Sequence, residues 1–170
     1  MGADRWVLYG IADCELHLFV EADGDQKIER LFWIQFEQYL PTKLDLHHHY
    51  ESQRRTRIGG MEFLVDTWMK SPNDNVTSGS DEEHVLNLLK ARKYKLPADM
   101  ISVRLVHLLD DATRKELMII YSENAERTGF QTADLRKRGK ALDQWPDIES
   151  GLIARATASV RIQPGGERVR

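Results

Sequence analysis

The stretch that most restricts this chain is "CELHLFVEADGDQKIERLFWIQFEQYLP". Cys14, Leu16, Leu18 and Val20 alternate with Glu15, His17, Phe19 and Glu21. A period of two puts successive side chains on opposite faces, which a strand can use and a helix cannot. Asp23-Gly24 supplies a hairpin turn, because glycine accepts the positive φ such turns need. The return strand runs from about Ile28 to Leu40, with Phe32, Ile34 and Phe36 on one face. Trp33, Gln35, Glu37 and Tyr39 take the other face, and Pro41, which cannot donate to a ladder, ends the strand.

A second hairpin follows the same logic. Val103, Leu105, His107 and Leu109 alternate with Arg104, Val106 and Leu108, so both faces are mostly apolar. That pattern predicts a central strand covered on both sides, with Leu117–Tyr121 as its partner. A further strand covers about residues 58–68, and Gly59-Gly60 at its start reads as a bulge or a close backbone approach. Ser80-Asp81-Glu82-Glu83 forms a capping box, and the helix it opens runs to about Arg92 with Val85, Leu86, Leu88 and Leu89 as its apolar face. A short helix is expected from Thr132 to about Gly139. Pro146, Asp147 and Glu149 favour another helix start. Ile148, Leu152, Ala156 and Val160 lie at helical spacing, although residues 154–162 also alternate as a strand would; we read a helix to about Ser159, a short extended end, and a flexible tail from about residue 163. Together these elements predict a single α+β domain over residues 1–170, a mainly antiparallel sheet of about five to seven strands covered by two or three helices.

Composition removes several function classes. The net charge of -3 argues against a nucleic-acid-binding module. Cys14 is the single cysteine, so no internal disulfide forms. No apolar run approaches the roughly 18 residues of a membrane span, and "MGADRW" has no apolar signal core, which leads to a cytoplasmic reading without membrane partners.

"KLDLHHHYES", Lys43–Ser52, is the segment richest in chemistry. Read as a strand, it sends Leu44, Leu46, His48 and Tyr50 one way and Asp45, His47, His49 and Glu51 the other. His47 and His49 then make a candidate site for a divalent metal, with Asp45 and Glu51 as flanking carboxylates. Further ligands would come from His17, Glu37, Glu62, Asp66 or His107. The spacing of Pro41, His47, His49, Gln53 and Gly60 resembles the first cupin motif. Proline replaces its first glycine, glutamine replaces its acid, and the second motif is absent, so no family is assigned. The more economical reading of the stretch is a solvated polar surface.

Trp33, Gln35, Glu37 and Tyr39 combine aromatic and polar groups as a small-molecule pocket does, and are the candidate ligand-binding residues. Trp33 and Tyr39 could equally meet a second copy of the chain in a homodimer. His107 reads as a hydrogen-bonded core histidine and Cys14 as a small core residue. No catalytic motif is present, so enzyme status stays open. The first expectation is a non-enzymatic small-molecule-binding or accessory protein. The second is a metal-dependent enzyme using His47 and His49, and the third a structural or protein-interaction subunit.

Overall fold

The period-two stretches of the two expected hairpins become strands. In the computed structural model, which describes residues 2–71 and 74–163, the first hairpin is β2 (Ala12–Ala22) and β3 (Ile28–Tyr39). The second is β6 (Met100–Leu108) and β7 (Lys115–Asn124), and β5 (Met61–Lys70) matches the remaining expected strand. Two short strands complete the set, β1 (Gly2–Leu8) and β4 (Arg54–Ile58). All seven join one antiparallel sheet in the order β1-β2-β3-β7-β6-β5-β4. Three helices accompany it: α1 (Asp81–Ala91), α2 (Thr132–Leu135) and α3 (Trp145–Ser159). The tail expected from about residue 163 lies outside the described residues.

The sheet is covered on both faces, which explains why β6 is apolar on both. One face carries Phe63, Val65, Val103, Leu105, Ile119 and Tyr121, against which α3 packs Leu152 and Ala156. The other carries Leu16, Leu18, Leu31, Trp33, Val106, Met118 and Ile120, against which α1 packs Val85 and Leu89. Burying each such side chain contributes about 1.5–3 kcal/mol.

α1 begins where the capping box places it. Ser80 Oγ accepts from the Glu83 N–H at 3.3 Å, and Glu83 Oε2 reaches back to the Gly79 N–H at 2.7 Å. α3 ends at Ser159, and Val160 leaves it in an extended conformation, as read from the sequence.

Three local expectations are corrected. Gly59-Gly60 is the turn of the β4–β5 hairpin rather than a bulge, with φ of +58° and +85°, while the close backbone approach read there holds at Gly59, where a Cβ would lie 2.5 Å from the Ile162 carbonyl oxygen. Positive φ at both central residues is what a tight two-residue hairpin turn requires. The helix expected from Thr132 to Gly139 stops at Leu135, because the Ala141 N–H takes the Asp134 carbonyl and Arg138 turns to φ +72°. Gly139 is packed so closely that a Cβ would lie 2.2 Å from the Asp134 carbonyl oxygen.

The third concerns the histidines. Leu44–Glu51 is not a strand and pairs with no neighbour in the sheet. It is part of a strap, Leu40–Gln53, that links β3 to β4. Arg114 anchors its start, donating to the carbonyls of Leu40 (3.0 Å), Lys43 (2.5 Å) and Leu46 (3.0 Å).

Candidate functional site

The face under α1 is polar where a core would ordinarily be apolar. Register explains how the residues meet: Cys14 lies opposite Glu37, and Glu37 opposite Glu116 on β7. Trp33, Gln35 and Glu37 alternate inward along β3 and form a chain of hydrogen bonds. Trp33 Nε1 donates to Gln35 Oε1 at 2.8 Å, and Gln35 Nε2 donates to Glu37 Oε2 at 3.1 Å. The Cys14 thiol lies 3.7 Å from the same Glu37 oxygen and 4.0 Å from Asp81 Oδ1 at the start of α1.

Burial, with Glu116 and Asp81 nearby, pushes Glu37 up to about 7. Burial also raises Glu116 and Asp81 above the ordinary carboxylate range. Cys14 rises as well, through burial and then the charges of Glu37 and Asp81. Cys14, Glu37 and Asp81 are the one gathering of potential metal ligands among the described residues, their donor atoms within 4.8 Å of one another. A metal needs its thiol and carboxyl ligands deprotonated. Without a bound cation the surroundings favour the protonated forms of all three groups, and a cation would have to displace those protons.

The strap closes the other end of this face. His48, Tyr50 and Ser52 point inward at alternate positions. Tyr50 Oη donates to Glu116 Oε2 at 2.7 Å, and His48 Nδ1 lies 3.2 Å from the same oxygen. Burial holds His48 below the usual imidazole range, and its ring stacks on Tyr39 with centroids 4.5 Å apart. Ser52 donates to Asp66 at 2.7 Å, and Arg104 donates to the same carboxylate at 2.8 Å.

His47 and His49 are exposed, and neither joins a group of three potential ligands among the described residues. The alternation holds from Leu46 to Glu51 but not at Leu44, which is exposed, and the inward histidine is the one that matters to the fold. The other candidate ligands are dispersed. His17 contacts Glu15 on the opposite face, Glu62 is exposed, and His107 Nδ1 bonds the Glu62 carbonyl while its ring leans on Phe63.

A pocket of about 760 Å³ opens between α1 and the upper part of the same face. Trp33, Trp68, Val85, Leu89, Met118 and Ile120 make its apolar walls. Ser102, Ser122, Arg104 and Asp81 supply polar groups. Ser102 and Ser122, cross-strand partners on β6 and β7, share a hydrogen bond of 2.8 Å. Of the four expected ligand-binding residues, Trp33 alone lines this pocket. Gln35 is fully buried behind it, Glu37 borders a second cavity of about 560 Å³, and Tyr39 packs on His48. Trp33 is 8% exposed, which withdraws it from the dimer interface expected of it. Ser102, Arg104, Ser122 and Asp81 were not singled out from the sequence, where each stands inside a strand or cap that needs no further explanation.

No helix among the described residues is long and apolar enough to cross a membrane. Comparison with known proteins matches this chain to no family, no curated protein and no solved structure.

Proposed function

We propose that this protein binds a small, mostly apolar molecule in the pocket between α1 and the sheet, without transforming it. One observation carries the reading: a cavity of about 760 Å³ with apolar walls and a few polar groups on its sheet side. Drug-sized ligands occupy pockets of roughly 300–1,000 Å³ built in this way. Trp33 and Trp68 lie in the wall, so occupancy has an intrinsic fluorescence signal.

The test is titration with Nile red, a neutral apolar dye, against wild type and Leu86→Trp. Leu86 is a half-buried wall residue of α1, and the larger ring should fill the pocket from outside the core. Wild type is expected to bind saturably and the variant at least tenfold more weakly, with thermal melting unchanged. Equal binding by both would place the dye elsewhere and defeat the reading.

A second reading has its own observation. Glu37 and Glu116 face each other across β3 and β7 and both border the smaller cavity. A carboxyl group titrating near neutrality is suited to general acid–base work. On this reading an enzyme would act from that cavity, not from His47 and His49.

A further inference from the structure

We infer that the pocket takes a neutral molecule with a carbonyl-type hydrogen-bond acceptor, seated against Arg104 and the Ser102–Ser122 pair, with its apolar remainder among Trp33, Trp68 and Leu89. This rests on reading the pocket as a ligand site and adds the chemical class of the ligand.

Two donors carry the argument. The Arg104 Nε–H is buried without a partner among the described residues, although an Nη of the same guanidinium is committed to Asp66. A buried donor left unpaired costs about 1–3 kcal/mol, so a partner is worth providing. The second donor follows from counting protons. Ser102 and Ser122 are both buried, and the bond between their hydroxyls uses one of two hydrogens. The other hydroxyl hydrogen has no acceptor among the described residues. Ser102 and Arg104 are two apart on β6 and share a face, so both donors serve the same end of the pocket. An acceptor oxygen with two lone pairs matches them.

Charge excludes the obvious anionic alternative. The lining cations, Lys70 and Arg104, are matched to Glu82 and Asp66, and the lining Asp74 is matched to Arg136 from outside. Asp81 is left without a basic partner in ion-pair range among the described residues. A carboxylate or phosphate entering this pocket would find no uncommitted cation to offset the loss of its hydration. A ketone, ester or amide oxygen accepts the same hydrogen bonds without that desolvation cost.

The test compares 2-octanone with octanoate at pH 8, reading tryptophan fluorescence and direct calorimetric binding. Wild type is expected to bind the ketone at least tenfold more tightly than the acid anion. Joint replacement Ser102→Ala and Ser122→Ala should weaken ketone binding about tenfold and leave binding of diphenylhexatriene, a hydrocarbon dye with no acceptor oxygen, within a factor of about three. Octanoate binding as tightly as the ketone, or a ketone affinity indifferent to the serines, overturns the ligand class while Nile red still upholds the pocket. Absence of saturable binding by the ketone, the anion and the dyes overturns both.

Discussion

Glu37 is a carboxyl group whose surroundings decide its charge. It is 8% exposed, faces Glu116 across the ladder, and has Asp81 nearby. The folded state therefore prefers it protonated, and its pKa is about 7 against an ordinary 4.5. A folded-state pKa above the unfolded one stabilises the fold fully below about pH 4.5, and that contribution is lost as pH rises through about 7. The interval corresponds to about 3 kcal/mol at most. Glu37→Gln keeps an oxygen for Gln35 to donate to and removes the titration. Urea unfolding at pH 5 and pH 8 is the check. Wild type should lose up to about 3 kcal/mol more than the variant between those values. Parallel losses would mean that Glu37 does not carry the pH dependence. Trp33→Glu, by the same logic, is a test of the pocket wall and not of assembly.

At the scale of elements, the strap depends on one side chain. Arg114 ties down three carbonyls of Leu40–Leu46, and His48, Tyr50 and Ser52 follow inward from that anchor. Arg114→Ala should cost about 2–4 kcal/mol and should loosen the strap before the sheet. Hydrogen exchange would show it as faster exchange at the His48 amide, which donates to Thr113 at 2.7 Å, with β6 and β7 amides unchanged. Uniform acceleration across the sheet would contradict it. What the sequence made legible divides along similar lines. β2, β3, β6 and β7 announce themselves because one or both of their faces are buried. β1 and β4 do not, since "GADRWVL" and "RRTRI" are edge strands whose mixed or charged residues meet solvent. Period two also placed Trp33, Gln35 and Glu37 on one face. Nothing local could bring Cys14 to Asp81, 67 residues away, because that depends on how α1 docks on the sheet. The strap hid for the opposite reason: its alternation is that of a strand, yet its partners are side chains and single carbonyls.

The whole molecule is two consecutive runs of antiparallel neighbours, β1-β2-β3 and β4-β5-β6-β7, joined along the single seam of β3 and β7. The strap is the covalent link between them, and its outermost point is Leu44, 81% exposed. Fragment complementation follows from this layout. Cut after Leu44, the polypeptide separates into pieces that each keep their own hairpins and share the β3–β7 ladder with the side chains packed on both sides of it. Met1–Leu44 and Asp45–Arg170, produced together, should reassociate into the native sheet, whereas Met1–Leu44 alone leaves Leu16, Leu18, Leu31 and Trp33 without cover and should not hold structure. Co-purification through a tag on the shorter piece, with circular dichroism matching the intact chain, is the expected result. Failure to associate would show that continuity through the strap is required to set the seam. A nick at this one exposed bend would then be lethal to the fold, where otherwise the protein is a heterodimer that happens to be encoded as one chain.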